Sequence, residues 1–432
     1  MGDAAVDTVI IGGGLAGLYA ALKLCVGGHK VIVFERQPEF GGRAKTNLFQ
    51  GVRVATGAGI GRKNKDSRLQ ALLRYLQVPV REFPVTHSFL GRGAHRCHTR
   101  AMLRVWRCLV TAHEHSSDNL RGKSFKQFAQ CVLGKQTYKQ FVQCSGFSDY
   151  EQAAAVDVLN DYGFEDNIRD WSALSVPWDA VIRGLLRAVL GTGNCSLYAG
   201  CPVLALDTSA GGPEGNVRVT TPQGSVIARR VFLATEIDSV QKLLPQLPLY
   251  RRIHGQPFLR MYAQFSGSSA AAMKAAVHGV TVVGSPLQKI IGVSDTVFMV
   301  AYCDNQDAVR MHRWFPDGCF DDASGSSHQG CMRRAVKFRA KVARLVEDSL
   351  GLPGKSLVVD AAHAVFIKSG THYNDPDLYK KFGHGQVLRK RLLCPAPNVF
   401  VVGEAVSRHQ GWVEGALETV DALDAFIHFN PH

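Results

Sequence analysis

The 432-residue sequence has no apolar run long enough to span a bilayer. Its opening, MGDAAVDTV, runs straight into the first apolar stretch and leaves no room for a secretory signal, so a cytoplasmic chain is expected. Val6 also breaks the myristoylation pattern that Met1-Gly2 begins. The 11 cysteines are odd in number, scattered and without a C-x-x-C pair. Neither a zinc site nor a disulfide framework follows from them, and reduced thiols are expected. His95, Cys97 and His98 cluster in HRCH but lie too close together to close a tetrahedral site alone, so no metal is expected. GKSF and GKQTYK lack the remainder of a phosphate loop, and no Ser-His-Asp arrangement stands out. Repeats, low-complexity tracts and linkers are missing too. Acidic residues are in short supply, 36 against 50 Lys and Arg, for a net charge of +14. The excess falls at helical spacing, as in Arg104, Arg107, Lys123 and Lys126 or Arg333, Arg334, Lys337 and Lys341. Such runs read as solvated helix faces, and no specific nucleic-acid partner is expected.

What is present is a large apolar fraction, 46%, enough to bury the cores of two domains. VDTVIIGGGLAGLYAALKLCVGGHKVIVFERQPEFGGRAKT opens with the β-branched run of a buried parallel strand, Thr8 to Ile11. Gly12, Gly14 and Gly17 follow at G-x-G-x-x-G spacing, and Leu15 and Ala16 begin a helical pattern. A second strand, Val31 to Phe34, ends at Glu35 and Arg36. Gly12 permits the tight turn, Gly14 lets a diphosphate approach the backbone, and Gly17 lets helix and sheet pack closely. The helix N-terminus offers free N–H groups to the diphosphate, and Glu35 stands where an acid accepts both ribose hydroxyls. Dinucleotide binding is therefore expected.

Residues 67–84 read as an amphipathic helix and a strand, and residues 100–190 as mostly helical. A period-two antiparallel unit follows at 200–235, then strands over 258–303 and a basic helix over 331–350. The chain closes with a buried strand, Val399 to Val402, a loop, and a helix from about Val413. A nucleotide fold completed by a distant C-terminal strand, loop and helix points to a dinucleotide that spans the domain, as FAD does. The expected fold is α/β, a Rossmann-like FAD-binding domain of the two-dinucleotide-binding type with an interleaved α+β substrate domain. The FAD-binding part covers 1–70, 190–250 and 385–432, and the substrate part covers 71–189 and 251–384.

The N-terminal stretch through ERQPEFGGRAKT and the C-terminal GEAVSRHQGWVEGA together resemble the flavin-containing amine oxidase family, which includes monoamine, polyamine and L-amino-acid oxidases. The two ends carry the resemblance; the middle of the chain matches only in its order of elements. The resemblance implies cofactor contacts at Gly42 and Arg43, at Val203 beside the adenine, and at Ala234 and Thr235. It adds Gly403 and Glu404, and Trp412 and Val413 flanking the flavin ring. Asp421 departs from the small residues usual in the closing helix. Tyr373, in FIKSGTHYNDP, and Trp412 fall where two rings frame the amine, or else are core aromatics. Covalently flavinylated relatives carry a cysteine before that tyrosine; His372 stands here, so non-covalent FAD is expected.

Lys289 lies where relatives place a lysine linked through water to the flavin N5, unless it points to a strand edge or solvent. Arg62 and Arg260 are the candidates to bind a substrate carboxylate, although Arg62 equally suits the cofactor or the surface. The implied reaction is hydride transfer from an amine or L-amino acid to flavin N5, giving an imine that hydrolyses to a carbonyl and ammonia or a smaller amine, with oxygen reduced to hydrogen peroxide. A homodimer is compatible with this reading. Two alternatives share the scaffold: a desaturase or oxidase of a larger apolar substrate, and a binding protein without catalysis.

Overall fold

The computed structural model describes residues 6–90, 97–115, 122–211, 215–314 and 329–425. Its first strand, Val6–Ile11, is flanked in parallel by Gly224–Leu233 and Val31–Phe34, and Cys195–Tyr198 extends the sheet beyond the latter. Both faces of the central strands are covered, which is why their sequences are continuously apolar rather than alternating. Gly224–Leu233 serves two halves of this seven-stranded sheet. Its first residues pair antiparallel with Asn216–Thr221, and its last residues pair parallel with Val399–Val401. The antiparallel unit expected over 200–235 is thus an extension of the nucleotide sheet. The far C-terminal strand does complete that sheet.

A second sheet of six strands runs in the order Ala361–Asn374, Ile253–Gln264, Val297–Asp304, Lys289–Gly292, Val280–Val283, His87–Leu90. An Ala-rich helix, Gly267–Ala276, interrupts the strands expected over 258–303. Helices Thr99–Glu114, Phe125–Leu133 and Lys135–Ser145 form a separate aromatic core, in which Trp106 and Phe141 stack on Phe164 at 4.6 and 4.8 Å. A small sheet of Gly61–Arg62, Trp171–Ser175 and Arg81–Val85 completes the arrangement.

The closing helix, Val413–Asp421, is buried along almost all of its length and packs against Leu15–Val26 and Ser67–Tyr75. Asp421, unexpected in the sequence, has a structural explanation. Its carboxylate accepts bonds from the Tyr19 hydroxyl at 3.0 Å, Lys23 Nζ at 2.9 Å and Arg68 Nε at 3.0 Å, tying the three helices together. Burial and the Asp421 charge raise the Tyr19 hydroxyl pKa well above its usual range, so the phenol stays a donor.

The expectation of thiols without a disulfide is corrected. Cys97 and Cys144 form a disulfide, with their Cα atoms 5.4 Å apart. It ties the approach to helix Thr99–Glu114 to the end of Lys135–Ser145. Cysteines 47 residues apart give no local spacing signal, so only the packing of these helices pairs them. The other seven cysteines among the described residues, Cys25, Cys108, Cys131, Cys195, Cys201, Cys303 and Cys394, are free thiols as expected. Of HRCH, His95 lies outside the described residues, while the Cys97 sulfur is in the disulfide and His98 Nδ1 accepts the Ala101 N–H of the helix it caps. No helix among the described residues is long and apolar enough to cross a membrane. Peptide mapping of the unreduced protein is expected to recover residues 97 and 144 in one cross-linked pair. Two separately alkylated peptides would restore the reduced-thiol reading.

Candidate cofactor and substrate site

The glycine turn between Val6–Ile11 and Leu15–Val26 is shaped for a closely approaching group. Gly12 has φ +106°, and a Cβ there would lie 2.5 Å from the Ala234 carbonyl oxygen. A Cβ at Gly17 would lie 2.0 Å from the Gly12 oxygen, so helix and turn touch directly. At Gly14 the nearest atom to such a Cβ is the Gly41 oxygen, at 4.0 Å, which leaves open space in front of the helix. Gly14 has no side chain to cap this helix, no acid sits in its first turn, and among the described residues no side chain bonds the N-terminal N–H groups beginning at Leu15, Ala16 and Gly17. This is the pattern of an anion-binding helix N-terminus.

Glu35 is buried at the end of the second strand. Its carboxylate accepts the Gly13 N–H at 2.7 Å and the Gln37 N–H at 2.8 Å, which aims it across the turn. The segment containing Val203 runs beside it, because the Gly200 and Cys201 N–H groups donate to the Gln37 and Glu35 carbonyls. Ala234 and Thr235 close the far side of the turn at Gly12. Arg36 is more peripheral and pairs with Glu236 at the surface, 3.2 Å away. Gly42, at φ +55°, brings the next loop within 3.3 Å of Gly14, measured from an added Cβ.

From that loop Arg43 reaches Glu404, Nη1 to Oε2, at 2.9 Å. Glu404 is buried, and it also accepts the Thr371 hydroxyl at 3.1 Å, the His372 N–H at 3.1 Å and the Gly411 N–H at 2.6 Å. His372 Nδ1 lies 2.7 Å from Oε2. Burial pushes the carboxyl pKa up, but His372, Arg43 and the Gly411 N–H outweigh it and hold it well below the usual range. Gly403 precedes it at φ +121°, and its N–H donates to Thr419 Oγ1 at 2.8 Å. Trp412 is the residue before helix Val413–Asp421, whose N-terminus also lacks a side-chain cap.

The remaining candidates fall into two groups. Tyr373 lies 5.2 Å from the His254 ring and borders a small cavity with Asp149, Asp157, Tyr162, His372 and Gln410. Trp412 instead lies under Arg62 and edge-on to Trp171. Lys289 is buried with its Nζ over the Phe147 ring; burial pushes its pKa well below the usual lysine range, opposed by Asp149 and Asp304. Arg260 is buried too, donating to the Ala55 carbonyl at 2.9 Å and stacking on Tyr302. Arg62 is held by Asp66.

Sequence reasoning missed the two cavity carboxylates. Burial and the neighbouring Asp304 push Asp149 up to about 7, and burial pushes Asp157 up to about 7 despite bonds from Tyr379 and Asn374. Nothing in their local sequence marks them. It also missed His372 as the partner of Glu404; the Nε2 of this histidine has no hydrogen-bond partner among the described residues.

The family model of the NAD(P)-binding Rossmann-like domain matches residues 10–76. (S)-6-hydroxynicotine oxidase of Paenarthrobacter nicotinovorans is 23% identical over 456 residues, an alignment covering 98% of this chain and 99% of that protein. Cyclohexylamine oxidase from Brevibacterium oxydans IH-35A has the same fold, with a TM-score of 0.72 at 15% identity over 98% of each chain. Wild-type putrescine oxidase bound to putrescine superposes with a TM-score of 0.70 at 15% identity, over 99% of this chain and all (100%) of that one.

Glu404→Gln removes the charge on which Arg43 and His372 converge. Thermal or denaturant unfolding at neutral pH is expected to show a loss on the order of 3 kcal/mol. Because the native carboxyl pKa is lowered, the wild-type advantage is full above the unfolded value of about 4.3. It declines as pH falls from there toward the native value. Equal stability of the two proteins at pH 7 would remove Glu404 from this role.

Proposed function

We propose that this chain is a flavin amine oxidase that binds FAD without a covalent link and oxidises a small amine that carries no carboxylate. The observation that carries the cofactor reading is the chain of contacts from Glu35 on Gly13, through Gly42 beside Gly14, to Arg43 on Glu404. It runs from an uncapped helix N-terminus near one chain end to a second uncapped helix near the other. A group with a diphosphate in its middle and an electron-rich ring at its end fits both helix N-termini and the open space at Gly14. FAD, when bound, supplies the hydride acceptor and returns the electrons to oxygen as hydrogen peroxide.

The chain's own residues bind, orient and desolvate. Glu35 accepts ribose hydroxyls, and the N–H groups from Leu15 onward meet the diphosphate. Arg43 adds positive charge there while Glu404 fixes its direction. The N-terminus of Val413–Asp421 presents N–H groups to the electron-rich edge of the ring. Trp412 and Tyr373 supply aromatic walls, and Lys289 is a buried amine held toward its neutral form. Loss of hydride from the carbon bearing the neutral amine leaves a protonated imine, which gives up its proton to water and is hydrolysed to a carbonyl and ammonia or a smaller amine.

The preference for an amine over an amino acid rests on the two arginines. Arg62 donates from Nε and Nη2 to Asp66, and Arg260 is committed to Ala55 and Tyr302. Neither of these stands free to clamp a carboxylate bidentately, and Arg408, which lines the Tyr373 cavity, is the further guanidinium that the amino-acid arm of the test probes.

The test is the visible spectrum of the FAD-loaded protein under anaerobic conditions, with simple amines, diamines and L-amino acids added in turn. Simple amines or diamines are expected to bleach the oxidised-flavin bands, and amino acids to do so far more slowly. Bleaching by amino acids alone would overturn the substrate proposal. An oxidised spectrum that no amine bleaches would favour the desaturase or the binding protein.

A further inference from the structure

We propose that Arg62 is a positioning residue whose guanidinium fixes the plane of the Trp412 ring. The functional part of this inference rests on the reading above, in which Trp412 borders the flavin and the amine. The Arg62 guanidinium carbon lies 3.9 Å from the Trp412 ring centroid, a cation–π stack in a desolvated setting. Arg62 is only 4% exposed. Its Nε and Nη2 lie 2.8 and 2.7 Å from Asp66 Oδ1, and Nη1 lies 3.5 Å from Asp166 Oδ2. Trp171 meets the Trp412 ring edge-on at 6.5 Å and is itself anchored by its Nε1–H to the Asp166 carbonyl at 3.0 Å. The indole therefore has one face set by a cation and a second ring packed nearly perpendicular to it, at 77°, and Asp166 braces both.

The local chain shows why the arginine does not move. Asp66 is the residue before helix Ser67–Tyr75 and would ordinarily cap it, yet its side chain makes no capping bond. It turns back instead, accepting the Arg62 N–H at 2.7 Å on Oδ2 while Oδ1 holds the guanidinium. The helix is capped from elsewhere. Glu414 accepts the Arg68 and Leu69 N–H groups, each at 3.1 Å. Glu414 lies two residues beyond Trp412. Residues 62–69 thus grip the 412–414 segment twice, once by the Arg62 stack and once by a borrowed helix cap. A substrate carboxylate binding Arg62 would have to displace Asp66 and leave that buried acid unpaired.

The experiment compares Arg62→Met/Asp66→Asn, which removes both charges together, with Arg62→Lys and Trp412→Phe, all loaded with FAD. Near-ultraviolet circular dichroism reads the Trp412 ring, taken as the difference from Trp412→Phe. Anaerobic stopped flow reads the rate and concentration dependence of bleaching by an amine and by its carboxylate-bearing analogue. The double variant is expected to lose the Trp412 signal and to bleach about tenfold more slowly with both substrates, because the ring is misplaced rather than removed. Arg62→Lys keeps a cation and is expected to recover part of both. An unchanged signal overturns the stack. A weakening confined to the carboxylate-bearing substrate overturns the positioning role in favour of a clamp. If the wild type is bleached by no amine, the functional reading fails alone, and the Trp412 signal still decides whether Arg62 holds the ring.

Discussion

The buried carboxylate of Glu404 is the point on which the architecture turns. Five hydrogen bonds converge on its two oxygens, from Arg43, Thr371, the backbone and ring of His372, and Gly411. Those donors come from the loop after the second strand, from the longest strand of the six-stranded sheet, and from the loop before the closing helix. A buried charge must be neutralised by directed partners, so these separate segments have only one mutual arrangement that satisfies it. The two sheets are locked together at the place where a cofactor lying along the glycine turn would end. Arg43 also donates to the Ser369 and Gly370 carbonyls, which ties the same junction to the bend in Ala361–Asn374.

Around this junction the closing helix acts as a second brace. Asp421 binds Tyr19, Lys23 and Arg68, and Glu414 caps the helix that Arg68 belongs to. Acids at both ends of Val413–Asp421 therefore fasten it to Leu15–Val26 and Ser67–Tyr75. The two helices whose N-termini face the candidate cofactor position are held at a fixed separation by side chains rather than by apolar contact alone. Such a frame suits a site whose task is to orient a rigid ring and to exclude water.

What could be read from the sequence was local. The strand, glycine turn, helix and acid from Val6 to Glu35 lie within one short stretch, and each residue type is demanded by backbone geometry that a single segment defines. Val399–Val401 and the helix after Trp412 were visible for the same reason. The rest depends on partners distant in the chain. Arg62 looked like a free guanidinium because its relation to Trp412 and Asp166 exists only after folding, although Asp66, four residues on at a helix start, was an available signal. Asp421 looked out of place because Tyr19 and Lys23 are far away in sequence. Asp149 and Asp157 carry no motif; only burial next to His372 and Tyr373 gives them interest. The Cys97–Cys144 pair was invisible to spacing rules, because its loop closes through the aromatic helical core.

We infer that the glycine turn, Glu35, Arg43 and Glu404 together hold FAD. It is tested most directly by titrating the cofactor-free protein with FAD, NAD and NADP in parallel, following flavin fluorescence quenching and calorimetric heat. Saturable one-to-one binding of FAD is expected, with the nicotinamide dinucleotides binding weakly or not at all. Saturation by NAD or NADP without binding of FAD would contradict it.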